Sequence, residues 1–219
     1  MNINWYGQSC FEISFNQAKN SPIKIVIDPF EESFVNLKLP KKIEADIVLV
    51  SHDHDDHNNV KRILGSPFVV QGPGEYDIKG VFIKGIPAFH DDSQGGQRGD
   101  ITIYSIEAEG MKLCHLGDFG QKFLSPNQLD RIGEVDILMI PIGGIYTINA
   151  KEAVKIMAQI EPKIIIPMHY KIPGLKIKLD SLDEFLKAAG VKKIDPLAKL
   201  SIKAKDLSKE EVKIIVLQN

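Results

Sequence analysis

The sequence predicts an α/β protein with large sheets covered by helices, and three observations carry that reading. Short apolar or alternating runs recur through the first half. Residues 46–50 form a nearly continuous apolar run, the pattern of a strand buried on both faces. Beyond about residue 125, helical periodicities alternate with further strands. With 219 residues the chain can bury a full hydrophobic core, and 43% hydrophobic with 26% charged residues is an ordinary globular composition. No internal repeat, low-complexity tract or linker rich in Pro, Gly and Ser divides it, so one domain over 1–219 is expected.

The elements follow in order. Residues 3–6, 10–15 and 23–27 read as strands; Ser21-Pro22 separates the second from the third, and Asp28-Pro29 stops the third, because the residue before proline avoids helical geometry. The strand at 46–50 runs directly into a polar stretch over 51–59. Further strands are expected at 68–70, 81–86, 101–106 and 111–116, with Gly-rich turns between them; Gly72-Pro73-Gly74-Glu75 reads as a turn. Ser125 as N-cap and Pro126 at the first position start a helix that stops at Gly133. A strand at 137–140 ends at Pro141. Asn149 caps a helix through Ile160, where Ala153, Val154, Ile156, Met157 and Ile160 recur at helical spacing, and Pro162 ends it. A strand over 163–167, an amphipathic helix over 180–189 closed by Gly190, and a last strand over 212–217 complete the chain.

Composition narrows the function. No apolar run reaches the roughly 18 residues that cross a bilayer, and residues 1–15 lack the basic start and apolar stretch of a signal peptide. A cytoplasmic address is expected, and Cys10 and Cys114, which form no CxxC pair, suit it as reduced core residues. The net charge of −2 divides into +4 over 171–219 and −6 before it. Acidic residues crowd around the histidines, which suits a divalent cation and argues against nucleic acid. The expected partner is a small molecule; a homo-oligomer is compatible with this composition.

The sharpest signal is Ser51-His52-Asp53-His54-Asp55-Asp56-His57, with three histidines and three aspartates in seven residues, placed where the chain leaves a buried strand. A solvated polar loop is the plain alternative, but imidazole and charge so concentrated after a buried strand rarely serve packing. Neutral imidazole and carboxylate suit zinc, manganese or iron. His52 and His54 can share one ion, and Asp56-His57 can serve a second. Of the three other histidines, His90 ends a strand before Asp91-Asp92 and His169 follows one, while His115 precedes Gly117-Asp118. Strand ends are where sites are built.

H-x-H-x-D-H after a buried strand, followed by a later His, a Gly-Asp and a final His, resembles the metallo-β-lactamase superfamily. Gly7-Gln8-Ser9-Cys10-Phe11, Asp28-Pro29-Phe30, His115-Leu116-Gly117-Asp118, Pro141-Ile142-Gly143-Gly144 and Ile166-Pro167-Met168-His169-Tyr170 resemble the L-ascorbate-6-phosphate lactonase-like group within it. Many relatives carry His where this chain has Gln8, a position not taken as a ligand. The resemblance implies a four-layer αββα sandwich and two divalent metal ions, with zinc expected and manganese or iron as the alternatives. It assigns His52, His54 and His90 to the first, Asp56, His57 and His169 to the second, and Asp118 as the bridge. Asp28 would orient the ligand loop from behind, and His115 would support Asp118, a satisfied core histidine being the equal alternative.

Such a centre implies hydrolysis by a metal-bound hydroxide, formed near neutral pH, on a small ester, lactone or phosphoester; a phosphorylated sugar lactone is the nearest example. Asp56 or Asp118 would pass a proton to the leaving group. No G-x-S-x-G supports a serine nucleophile. Arg98 could clamp a phosphate, Gly143 and Gly144 could bring backbone N–H groups close, and Tyr146 and Tyr170 could wall the pocket; each has an equally plain structural reading. Glu75 is read as a turn residue. The rival readings are a phosphodiesterase on nucleotides or nucleic acid, an iron redox protein, which His54 and the lack of length for a flavin domain oppose, and a metal-binding protein without catalysis.

Overall fold

The computed structural model describes residues 1–16, 22–208 and 211–219; Ser21 of the expected Ser21-Pro22 break lies outside them. Two mixed sheets carry the fold. The first orders β12 (Leu200–Ser201), β1 (Asn2–Trp5), β2 (Phe11–Phe15), β3 (Ile23–Ile27), β4 (Ile47–Val50) and β5 (Phe68–Gln71). The second orders β13 (Lys213–Ile214), β11 (Ile164–Met168), β10 (Ile137–Pro141), β9 (Met111–His115), β8 (Asp100–Ala108), β7 (Val81–Phe89) and β6 (Gly74–Ile78). The strands β3, β4 and β5 run parallel, as do β9, β10, β11 and β13, whereas β6 to β9 form an antiparallel meander.

The pleat explains why 46–50 is apolar throughout. Ile47 and Leu49 face the core between the sheets, together with Ile25 and Ile27 of β3. Val48 and Val50 face the other way with Val26, into a second cluster closed by Phe30, Val35, Leu37, Leu39, Ile43 and Ile63. The outer layer of the first sheet is thus built from the short helix α1 (Glu32–Val35) and irregular chain. Helices α2 (Pro126–Ile132), α3 (Ala150–Ile160) and α4 (Leu182–Ala188) deliver Ile132, Ala153, Ile156, Ile160, Phe185 and Leu186 to the large core. Ser125 and Asn149 cap α2 and α3 as expected, each in a reciprocal capping box. No helix among the described residues is long and apolar enough to cross a membrane.

Some elements depart from expectation. Strand β6 begins at Gly74, inside the stretch read as a turn; it is a half-buried edge strand whose hairpin to β7 turns at Lys79 and Gly80, both left-handed with φ of 54° and 75°. Helix α1 has four residues, too few for a periodicity, and β12 has two. The strand expected over 212–217 shortens to Lys213–Ile214, with Leu217 bridging Leu197 separately.

Tyr104 ties the sheets together at the end of β4. Its fully buried hydroxyl donates to the Val50 carbonyl at 2.7 Å, stands 3.2 Å from that of Val70, and receives the Gly72 N–H at 3.3 Å. We expect Tyr104→Phe to lower stability by about 1–3 kcal/mol, since it strands buried backbone groups, as measured by urea denaturation; a change below a few tenths would show that the hydroxyl holds nothing.

Cys10 and Cys114 are free and buried. Burial pushes the Cys114 thiol up to about 12, and burial with the Asp28 charge raises Cys10 as well. A thiolate forms only as pH rises toward its pKa, so at pH 8 both buried thiols stay protonated and unreactive. Native protein should therefore release almost no thionitrobenzoate from a disulfide reagent at pH 8, and two equivalents after denaturation; rapid native reaction would contradict this burial.

Candidate metal centre

Asp28 organises the histidine loop. It follows β3 directly, has no exposure, and sits in the left-handed region at φ 48°. Its Oδ1 receives the Ser51 N–H at 2.7 Å, while its Oδ2 receives the Ser51 hydroxyl at 2.7 Å and the His57 Nδ1–H at 2.9 Å. Because the Ser51 hydroxyl spends its one proton on Asp28, its oxygen accepts from His52 Nδ1 at 2.9 Å. One carboxylate therefore turns the Nδ1–H groups of His52 and His57 away from the cluster and aims both Nε2 atoms inward, where a cation that displaces the His57 proton would meet their lone pairs.

Those lone pairs point into a convergence of donors from distant strands. His52, His54 and His90 form one group and Asp56, His57, Asp118 and His169 another, the candidate ligand atoms in each lying within 4.8 Å of one another. His52 Nε2 stands 3.0 Å from His54 Nδ1. Asp118 Oδ2 lies 3.3, 3.5 and 3.2 Å from the Nε2 atoms of His57, His90 and His169, so it touches members of both groups. His57 Nε2 is 3.6 Å from Asp56 Oδ2 and, although fully buried, has no hydrogen-bond partner. Two donors bound to one tetrahedral ion at about 2.0–2.1 Å stand about 3.3 Å apart. The spacings and the orphaned nitrogen fit divalent cations among these side chains.

The electrostatics agree. Burial opposes a charge on His57, but Asp118, Asp56 and Asp28 outweigh it and raise its pKa well above the ordinary imidazole range. Burial and the neighbouring His57 charge push His52 down to about 2. Burial would raise the carboxyls of Asp118 and Asp56; for Asp118 the His169, His57 and His90 rings outweigh it, and for Asp56 the His57 ring does, so both stay ionised. Without metal the cluster keeps a proton on His57, at the point where carboxylates demand positive charge.

Sequence reasoning missed two supporting residues. Gln8, buried at φ 50°, donates from Nε2 to Asp56 Oδ2 at 3.2 Å, and its carbonyl receives the His169 N–H at 3.0 Å. Ser9 donates to Asp118 Oδ1 at 3.1 Å. His115 acts through Ser9: its Nδ1 accepts the Gly117 N–H at 3.1 Å, so its Nε2–H donates to the Ser9 carbonyl at 2.9 Å. With both nitrogens occupied His115 is no ligand, and it supports Asp118 indirectly. The signal was the contiguity of Gln8 and Ser9 in a buried turn, which a sequence cannot relate to residues 56 and 118.

The centre opens onto a cavity of about 620 Å³ lined by His54, Asp56, His90, Asp118 and His169 among others. Arg98 and Tyr146 line it too, the guanidinium lying 5.6 Å from the Tyr146 ring centre. Three expected substrate contacts fall elsewhere. Tyr170, expected as a wall, is buried and stacks on Trp5 at 5.0 Å, outside the cavity lining. Gly143 and Gly144 do not line it either. A Cβ on Gly143 would stand 2.1 Å from the His169 carbonyl and one on Gly144 2.0 Å from Asp180 Oδ2, so these glycines let the β10 turn pass close behind the ligand strand.

Comparison with known proteins shows the family. A family model described as a beta-lactamase superfamily domain matches residues 2–169. A UPF0173 metal-dependent hydrolase of Thermococcus kodakarensis is 32% identical over 175 residues, 67% of this chain and 77% of that protein. Another, from Staphylothermus marinus, is 32% identical over 199 residues, 77% of this chain and 82% of that protein. A crystal structure of a metallo-beta-lactamase superfamily protein from Thermotoga maritima superposes with a TM-score of 0.77 at 35% identity over 99% of both chains.

If Asp28 presets the two histidines, Asp28→Asn should weaken metal retention about 10–100-fold, measured by competition with a chromogenic chelator while circular dichroism stays native. Unchanged affinity in a folded variant would remove Asp28 from the site.

Proposed function

The chain belongs to the metallo-β-lactamase superfamily and, within it, to the UPF0173 family of metal-dependent hydrolases, and from that premise we propose that it is a dinuclear, zinc-dependent hydrolase of small esters, lactones or phosphoesters in the cytoplasm. The observation that carries the reading is the position of Asp118 Oδ2, within 3.5 Å of Nε2 atoms belonging to both donor groups. A carboxylate so placed suits a bridge between two cations better than a partner for any single ring. His52, His54 and His90 would hold one ion; Asp56, His57 and His169 would hold the other. When bound, the ions supply Lewis acidity that ionises water near neutral pH and stabilises the developing oxyanion.

The chain's own groups divide the remaining work. Asp28 keeps His52 and His57 aimed inward. Ser9 restrains Asp118 through Oδ1, and Gln8 restrains Asp56 through Oδ2. Both carboxylates line the cavity, but Asp118 has Oδ1 bonded to Ser9 and Oδ2 enclosed by three rings, whereas Asp56 has only Oδ2 engaged among the described residues. Asp56 Oδ1 is therefore the better carrier of a proton to the leaving group. The substrate is a small molecule, and a phosphorylated sugar lactone remains the nearest example.

Elemental analysis of purified protein should find two zinc equivalents per chain. A panel of lactones, carboxylate esters and phosphodiesters should reveal turnover that falls at least about 10^3-fold in His54→Ala and Asp118→Asn. Equal turnover by wild type and His54→Ala would refute the site. Turnover confined to phosphodiesters would shift the reading to a phosphodiesterase.

A further inference from the structure

The cavity carries three cations that the metal centre does not use. Arg98 comes from the loop after β7; Lys176 and Lys178 come from the excursion after β11. Among the described residues no carboxylate lies within 4.0 Å of any of the three, although Asp53 and Asp55 of the histidine loop line the same cavity. Cations without a contact ion pair beside a cavity attract an anion: Lys176 meets only a backbone carbonyl and Arg98 the face of Tyr146.

Both loops are held in place. Asp91, buried at the start of the first loop, accepts at Oδ1 from the Ser93 hydroxyl at 2.6 Å and the N–H groups of Ser93 and Gly95 at 2.8 and 3.0 Å. Its Oδ2 accepts the N–H groups of Gln97 and Arg98 at 2.9 and 2.7 Å. The chain thus wraps one carboxylate and ends with Arg98 fixed at the backbone, its guanidinium over Tyr146. The second loop closes where Lys171 N–H meets the Asp180 carbonyl at 2.9 Å. Midway, Lys176 N–H donates to the Val35 carbonyl at 3.0 Å and its ammonium reaches the Ser33 carbonyl at 3.5 Å, docking the loop on α1. Phe34 of α1 and Ile177 add apolar surface to the same cavity.

We propose that the substrate carries a negatively charged group, of the phosphate monoester class, separate from the bond that is broken, and that Arg98, Lys176 and Lys178 grip it. Three cations suit a dianion better than a carboxylate, and the planar guanidinium can pair with two of its oxygens. The cavity is long enough in volume for a sugar-sized body between handle and metals. Asp91 is a positioning residue for Arg98. The proposal rests on the hydrolase reading for the word substrate, but the anion site stands on its own geometry.

The test uses the purified metal-loaded protein and tetrahydrofurfuryl phosphate, a ring that offers no bond for hydrolysis at a carbonyl. Calorimetry compares it with tetrahydrofurfuryl alcohol and tetrahydrofuroic acid. The phosphate should bind at least about 100-fold tighter than the alcohol and about 10-fold tighter than the carboxylate. Arg98→Gln, and Lys176→Gln with Lys178→Gln, should each cut that preference about 10-fold at unchanged metal content, with partial recovery in Arg98→Lys. Asp91→Asn should cut it too, and should speed amide exchange at Gly95, Gln97 and Arg98. An unchanged preference in the variants would mean that the metals alone hold the phosphate, and would overturn the proposal. Binding of the carboxylate alone would overturn the dianion. Parallel turnover of γ-butyrolactone and its 5-phosphooxymethyl derivative separates the two readings. Hydrolysis of both at equal efficiency keeps the hydrolase and removes the anion site; phosphate binding lost in the variants, with neither lactone hydrolysed, keeps the site and removes the lactonase.

Discussion

A single buried carboxylate sets the rest of the centre. Asp28 has no exposure to water, so its charge must be satisfied by protein donors. It takes three, from the Ser51 backbone, the Ser51 hydroxyl and His57. Those donors lie at the end of β4 and in the loop beyond it, while Asp28 itself ends β3. The bonds cannot all form unless β3 and β4 lie parallel in register and the histidine loop folds back over their ends. Satisfying one charge therefore fixes a strand pair, a loop and two imidazole orientations together. Left-handed backbone at Asp28, Gln8 and His169, at φ 48°, 50° and 50°, costs about 1–2 kcal/mol at each residue. All three lie at the centre, and each is held by hydrogen bonds to another part of it.

Strand direction explains why donors from remote sequence meet. Strands β3 and β4 run parallel in one sheet; β9, β10 and β11 run parallel in the other, and two antiparallel steps give β7 the direction of β9. Asp28, the histidine loop, His90, Asp118 and His169 each follow the C-terminal end of one of these strands. The sheets share one core, so these ends gather at one edge. Had β7 paired parallel with β8, its C-terminal end would face away and His90 would be lost to the site.

This logic also marks what the sequence could show. Each ligand candidate was legible because it combined a chemically distinctive residue with the end of a strongly apolar run, and both signals are local. Residues 47–50, 111–115, 137–141 and 164–168 are almost wholly buried, so their strands could be read without knowing their partners. Gln8, Ser9 and Asp91 were not legible as parts of the site. Glutamine and serine in a turn are unremarkable until β2 places them against Asp56 and Asp118, residues 48 and 109 positions away. Asp91 looked like one more acid near a histidine, yet it spends its carboxylate on its own loop. Tyr170 misled for the opposite reason: adjacency to His169 suggested the pocket, but the left-handed bend at His169, just past the end of β11, is followed by a side chain stacked on Trp5.

The molecule therefore separates two tasks by the kind of structure that performs them. Donors for metal hang from strand ends and are tied by buried hydrogen bonds, so their positions follow from the fold. Arg98, Lys176 and Lys178 hang from excursions whose lengths the sheets do not dictate, since those loops could lengthen or shorten without disturbing β7, β8 or β11. Each excursion has instead its own internal lock: Asp91 in one, the Lys171 to Asp180 closure and the α1 contact in the other. A loop that served only to connect strands would gain little from five hydrogen bonds onto one buried carboxylate. Such rigidity makes physical sense if the side chain at its end must be held before a ligand arrives, because ordering it afterwards would be charged against binding.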